Sequence, residues 1–262
     1  VSSGTTPASF RVAVATIFPE LFDPFFAQGV VGRAVGAGRV DLTLLDIRNW
    51  AVDARGSVDD YQFGGGAGML LRPEPLFGAL ESVPWRADAR VVFMTPQGRR
   101  LDHSLARELA DSQGVIVFCG RYGGIDERFR SSAVTDEVSV CDAVVSGGEV
   151  PAMLLLEAVL RWLPGVLGRM ESAESDSFAT GLLDYPRYTR PAEYRGMKVP
   201  ETLISGNHAE IEAWRYREAL RLTEERRPDL LGLDGEDNIR ERFLCAMRRA
   251  DRRKSQELEE DG

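Results

Sequence analysis

Apolar positions along the chain change period several times, and the changes mark out elements. Phe10–Ile17 alternates into a first strand, and Val40–Leu45 reads as a second. Val91–Met94, Val115–Phe118 and Val138–Val145 are apolar, largely β-branched runs, the composition of strands buried on both faces. Phe22, Phe25, Phe26, Val30 and Val31 recur at roughly helical spacing and predict one helix packed back on the sheet. Pro73–Glu81 predicts a helix with proline in its first turn. Asp102 can cap a helix ending near Ala110. Glu149–Trp162 predicts an amphipathic helix with Met153, Leu156, Leu160 and Leu163 on one stripe, stopped by Pro164. Strands alternating with helices predict an α/β fold with a mostly parallel sheet.

The alternation ends at Pro164. Gly168–Gly181 is rich in Ser, Glu and Asp and reads as an exposed linker. Beyond it, Asn207–Arg226 and Glu236–Lys254 predict two helices, so a small helical domain is expected. The expected boundaries are a disordered tail at 1–9, an α/β domain at 10–167, a flexible linker at 168–182 and a helical domain at 183–262. Asp59–Met69 holds four glycines and is expected to be a flexible loop without regular structure.

Composition narrows the class. Hydrophobic residues make up 44% of the 262 and charged residues 28%, as in globular proteins. The longest apolar run, Val150–Leu156, is too short to span a bilayer, and Val1–Ser9 lacks a basic start and an apolar core. Three scattered cysteines (Cys119, Cys141, Cys245) and two distant histidines (His103, His208) suggest neither a disulfide framework nor a metal site. His103 is expected at an exposed helix start, and His208 just after a cap at Asn207. A reducing cytoplasm fits this usage, with no membrane partner. The net charge of −9 weighs against nucleic acid only where the charges are mixed. Here the acids Glu257–Asp261 directly follow a basic cluster at Arg248, Arg249, Arg252, Arg253 and Lys254.

Candidate chemistry gathers at three strand ends. Val91–Met94 runs into Thr95-Pro96-Gln97-Gly98-Arg99, Val115–Phe118 into Gly120–Gly124, and Val138–Val145 into Ser146-Gly147-Gly148-Glu149. Glycine lets backbone N–H and C=O groups touch a ligand, and ligands sit at the C-terminal ends of strands in open α/β sheets. A tight turn explains any one of these loops. All three together point to one pocket.

These stretches, with F-P-E-L-F (Phe18–Phe22), G-G-G-A-G-M (Gly64–Met69), P-Q-G-R (Pro96–Arg99), C-G-R-Y (Cys119–Tyr122), G-I-D-E-R (Gly124–Arg128) and S-G-G-E (Ser146–Glu149), follow a specific order. P-G-V-L-G (Pro164–Gly168), D-S-F (Asp176–Phe178), G-L-L-D (Gly181–Asp184), Y-T-R-P (Tyr188–Pro191) and S-G-N-H-A-E-I (Ser205–Ile211) continue it. The chain resembles the bacterial tRNA (guanine-N1)-methyltransferases of the SPOUT class over about Phe10 to Arg227. The resemblance implies a sheet whose C-terminal part forms a trefoil knot, an exception to the unknotted rule. It implies that S-adenosylmethionine is held by Pro96, Gly98, Gly120, Arg121, Tyr122, Gly124, Val140, Val145, Gly147 and Gly148. It further implies a homodimer with the active site shared across the interface, and methylation of the guanosine just 3′ of the tRNA anticodon, position 37.

The resemblance makes Asp176 the base that removes the guanine N1 proton and Arg161 the cation that stabilises charge on O6. A degenerate paralogue that binds tRNA or a partner without catalysis is the rival reading, and retention of Arg161 and Asp176 argues for the enzyme. Departures lie at Gly123, where the resemblance implies glutamate, at Cys141 for glycine and at Ala143 for tyrosine. The glutamate is tied to cofactor handling and to magnesium. Its absence predicts weaker cofactor binding and little response to magnesium, with Asp176 and Glu149 as remaining candidate carboxylates. Loss of an aromatic at 143 is expected to remove buried packing area.

Overall fold

A computed structural model describes residues 9–167, 173, 175–231 and 239–248. The chain separates into two compact units, Val1–Gly168 and Arg169–Gly262.

The first unit is built on five strands in the order β2-β1-β6-β5-β7, and every pairing is parallel. They are β1 (Phe10–Thr16), β2 (Val40–Asp46), β5 (Arg90–Arg100), β6 (Gly114–Cys119) and β7 (Asp136–Ser139). The two-residue period of a strand sorts their side chains into two cores. Val12, Val14, Val92, Met94, Val115 and Val117 pack on one face against Phe22, Leu105, Leu155 and Leu156. Ala13, Ala15, Val91, Phe93, Ile116 and Phe118 pack on the other against Leu76, Ala79 and Phe129. The first face is covered by α1 (Asp23–Ala27), α2 (Gly29–Gly36), α4 (His103–Ala110) and α6 (Glu149–Leu160), the second by α3 (Pro73–Glu81) and α5 (Glu127–Ala133). Central β6 is buried at every position, and each such Val, Ile or Phe side chain is worth about 1.5–3 kcal/mol of transfer. A continuous apolar run therefore belongs at this place in the sheet.

Four local expectations are corrected. The helix expected over Phe22–Val31 is two, because Gln28 is extended and Gly29 takes φ +65°. Asp59–Met69 is not wholly irregular: its ends pair as an antiparallel hairpin of β3 (Asp59–Tyr61) and β4 (Met69–Leu71), while Gly64, Gly65, Gly66 and Gly68 turn the tip at positive φ. The Thr95–Arg99 loop lies within β5. Met94 and Arg99 both pair with Val138, so Thr95–Gly98 bulges out of a continuing strand. The last strand stops at Ser139 rather than reaching Val145, and 141–146 is exposed.

Helix α6 keeps the expected stripe, with Leu156, Leu160 and Leu163 buried and Met153 packed against them, and widens it. Its buried face is Ala152, Leu155, Leu156, Val159 and Leu160, with Met153 half-buried. Apolar Val150 and Leu154, one turn apart, are exposed. His103 is half-buried rather than exposed, its ring edge-on to Trp162 at 4.6 Å.

The second unit contains a hairpin of β8 (Glu193–Tyr194) and β9 (Met197–Lys198), α7 (Glu201–Ile204), α8 (His208–Arg226) and helical residues 239–248. Asn207 caps α8 by accepting from the Glu210 N–H at 3.5 Å. Leu182, Ala219, Ile239, Phe243 and Met247 form its core. Buried Thr223 donates to the Ala219 carbonyl at 2.7 Å and accepts from the Leu183 N–H at 2.9 Å, which fastens the incoming chain to α8. The expected tail up to residue 8, most of the linker before Ser175, and the basic and acidic residues after Arg248 lie outside the described residues. No described helix is long and apolar enough to cross a membrane.

Candidate active site

The bulge after Met94, the turn after β6 and the segment after β7 converge at the C-terminal edge of the parallel sheet. They enclose a cavity of about 360 Å³, within the range of small-molecule sites. Nine of the ten residues singled out for the cofactor line it, and Gly98 does not. Gly98 serves the strands instead: a Cβ there would lie 2.3 Å from the Glu137 carbonyl carbon and the Val138 nitrogen, so only glycine lets the bulge press on β7.

The turn after β6 is tied to its neighbours by backbone bonds. Gly148 N–H donates to Gly120 O at 2.8 Å, Gly123 N–H to Met69 O at 2.8 Å, and Leu71 N–H to Gly124 O at 3.0 Å. Gly148 is another close approach, since a Cβ would stand 2.8 Å from the Cys119 Cα. Tyr122 lines the cavity at φ +57°, a left-handed conformation rare for a residue with a Cβ. Strain of this kind gathers at ligand-holding sites.

One constellation was not legible in the sequence. Glu149 is buried at the start of α6, and Arg121 grips it with Nε at 2.9 Å from Oε2 and an Nη2 contact of 2.8 Å. Thr16, at the end of β1, donates its hydroxyl to Glu149 Oε1 at 2.8 Å. The Arg121 guanidinium lies 4.7 Å from the centre of the Phe18 ring. Glu149 is therefore not a free carboxylate for a cofactor or cation, as expected from the sequence, but the anchor of Arg121. An acid at the first position of a helix whose next seven residues are apolar was the available signal. The same pair acts on the strand below: burial first, and the Glu149 charge second, push the Cys119 thiol well above its ordinary range.

The departures fall in the cavity wall. Gly123, Cys141 and Ala143 all line it, and both Cys141 and Ala143 are exposed. The expected loss of buried packing at 143 is thus not found within this unit. The walls combine apolar surface (Phe93, Met94, Val138, Val140) with glycine backbone and two cations, Arg121 and Arg130. Both cations are paired, Arg121 with Glu149 and Arg130 with Glu137 at 2.9 Å. Among the described residues no Asp or Glu lines the cavity, and no group of three His, Cys, Asp or Glu could hold a metal ion.

Arg161 caps the far end of α6, half-buried and outside the cavity wall. Asp176 belongs to the second unit, where its carbonyl accepts from the Ala179 N–H at 3.2 Å. His208 is exposed at the start of α8.

A family model described as tRNA (Guanine-1)-methyltransferase TrmD matches residues 10–233. The chain is 52% identical over 219 residues to the tRNA (guanine-N(1)-)-methyltransferase of Geobacter sulfurreducens, covering 83% of this chain and 89% of that one. Against the protein of the same name from Symbiobacterium thermophilum the identity is 51% over 225 residues, with 84% and 91% covered. For Listeria welshimeri it is 47% over 224 residues, with the same coverage.

Proposed function

The chain belongs to the tRNA (guanine-1)-methyltransferase family, and from that premise we propose that it methylates N1 of the guanosine immediately 3′ of the tRNA anticodon, position 37. The observation that carries the reading is the cavity formed where three glycine-bearing segments meet at the sheet's C-terminal edge. Its residues Pro96, Gly120, Arg121, Tyr122, Gly124, Val140, Val145, Gly147 and Gly148 would hold S-adenosylmethionine. When bound, that group supplies a methyl activated on a positive sulfur. Identity near 50% to named methyltransferases disfavours a non-catalytic paralogue.

The protein's own part is positioning and proton handling. Guanine N1 carries a proton at neutral pH and gains nucleophilicity only as that proton leaves. The Asp176 carboxylate accepts it. Negative charge then grows on O6, and the Arg161 guanidinium offsets it. A bound donor would give its methyl to the N1 lone pair and leave as the neutral thioether, so the part of this chain is to hold the base in line, which supplies much of the rate. Transfer in this scheme responds little to magnesium, because Gly123 removes the carboxylate that the family resemblance ties to it.

Two copies build the site. Arg161 and the cavity-lining end of α6 are separated by the 12-residue helix, about 18 Å at 1.5 Å per residue. That span supports Arg161 serving the cavity of a partner copy, and exposed Val150 and Leu154 suit the apolar contact such a dimer needs. The α/β domain is knotted at its C-terminal edge, a linker over 168–182 carries Asp176, and the helical domain from 183 grips the tRNA in the cytoplasm where that substrate resides.

The experiment is single-turnover methyl transfer from S-adenosylmethionine to a tRNA transcript with guanosine 3′ of the anticodon. The same transcript carrying adenosine there should accept nothing. Equal transfer to both, or to neither, removes the reading.

A further inference from the structure

The second unit carries an exposed arm that none of the foregoing uses. Every residue of 187–198 is exposed. Within it stand Arg187, Arg190, Arg195 and Lys198 against a single acid, Glu193, in a chain whose net charge is −9. Arg187 is already held by Asp184 at 2.7 Å, and Lys198 reaches Glu193 only at 4.0 Å. Among the described residues, Arg190 and Arg195 have no carboxylate within ion-pair distance.

The arm ends in a two-residue turn, Arg195-Gly196, between Tyr194 and Met197, which pair across the hairpin. Both turn residues have positive φ, +52° for Arg195 and +77° for Gly196. Such a turn favours Asn, Asp or Gly at its first position, and arginine is a poor occupant because its Cβ meets the backbone. The guanidinium at this disfavoured position lies 5.2 Å from the centre of the Tyr194 ring. Tyr194 and Met197 are 57% and 66% exposed, so the ring is open to a second stacking partner. A turn that is suboptimal for folding, with a cation and an aromatic ring at its tip, has the character of a contact site rather than a folding device.

We propose that the β8–β9 hairpin is an RNA-docking arm, in which Arg190, Arg195 and Lys198 meet backbone phosphates and Tyr194 stacks on an unpaired base. The occupant is RNA because the arm pairs concentrated positive charge with an exposed ring, the combination that recognises phosphate and base together. The proposal rests on the tRNA reading above and adds to it where the second unit touches the substrate.

The test is Arg195→Asn in the full chain, because asparagine suits the turn better than arginine and removes the charge without threatening the fold. Binding of a tRNA transcript should weaken about three- to ten-fold, and the log–log salt slope should fall by about one. Melting temperature should stay level or rise, and the catalytic loss should appear as a raised KM for tRNA. Adding Lys198→Gln should weaken binding further with a second step in the slope. Unchanged affinity and slope in an active enzyme overturn the arm and leave the tRNA reading intact. Loss of affinity that tracks dissociation of a dimer overturns it in favour of a protein contact. An unsubstituted protein that binds no tRNA removes both readings.

Discussion

Arg121 and Glu149 are 28 positions apart in sequence, yet their side chains form a paired contact that locks the turn after β6 to the first turn of α6. Gly148 N–H on Gly120 O runs beside it, so two walls of the cavity are held as one piece. The carboxylate sits where the helix N-terminus favours negative charge. A preorganised cavity of this kind has less freedom to lose when a ligand binds.

Glu149→Ala should therefore cost stability as well as function. It leaves a guanidinium and the Thr16 hydroxyl without their acceptor in a largely buried place, a loss of about 3–5 kcal/mol for a broken buried pair. Urea unfolding with the slope unchanged measures it. A cost under about 1 kcal/mol contradicts a buried, committed pair.

Thiol reactivity should separate the cysteines. Burial and the neighbouring Glu149 charge raise the Cys119 pKa, so the folded protein keeps it as an unreactive thiol. Cys141 and Cys245 are exposed. Titration with an aromatic disulfide reagent should show two fast equivalents and a third only on unfolding. The linkage has a sign: stability from the protonated Cys119 is full below the unfolded thiol pKa of about 8.5 and declines as pH rises above it. A Cys119→Ala variant should lose that alkaline decline, and a fast third thiol would contradict the burial.

Asp176→Asn should nearly abolish methyl transfer while cofactor and tRNA binding stay close to normal, because only proton removal is lost. Arg161→Ala should lower kcat by about 10²–10³, as for one preorganised donor to a developing oxyanion. A change confined to KM would move Arg161 to tRNA binding, and an unaltered single-turnover rate in Asp176→Asn would remove the base assignment.

Gly123→Glu should tighten S-adenosylmethionine binding or raise the rate, at a structural cost. A Cβ at this position would lie 3.1 Å from the Met69 carbonyl oxygen and 3.2 Å from Leu70 Cδ2, so the β3–β4 hairpin must give way slightly. About 1 kcal/mol of overpacking is expected. Combining it with Cys141→Gly and Ala143→Tyr is the fairer comparison. If calorimetry and single-turnover rates show no gain in either variant, the missing carboxylate is unimportant to cofactor handling.

The strands were legible because burial imposes a strong pattern: β6, buried on both faces, could hardly be written otherwise. The strand ends were not. β5 runs on through Pro96 and Gly98 because a bulge absorbs four residues and β7 pairs on both sides of it, a tertiary arrangement with no local signature. Likewise the hairpin ends at Asp59–Tyr61 and Met69–Leu71 find one another across a glycine-rich tip. The cavity residues could be read from the three glycine loops, since backbone access needs glycine wherever it occurs. Gly98 lies off the cavity wall, and its missing Cβ makes room for β7. The Arg121–Glu149 contact joins positions that only the fold brings together.

The central claim is tested most directly by digesting the methylated tRNA to nucleosides and identifying the product by mass spectrometry against standards. The account predicts 1-methylguanosine, one per tRNA, at the position 3′ of the anticodon. A methyl on a ribose 2′-hydroxyl, on another atom of guanine or on another base would contradict it, as would no transfer at all from S-adenosylmethionine.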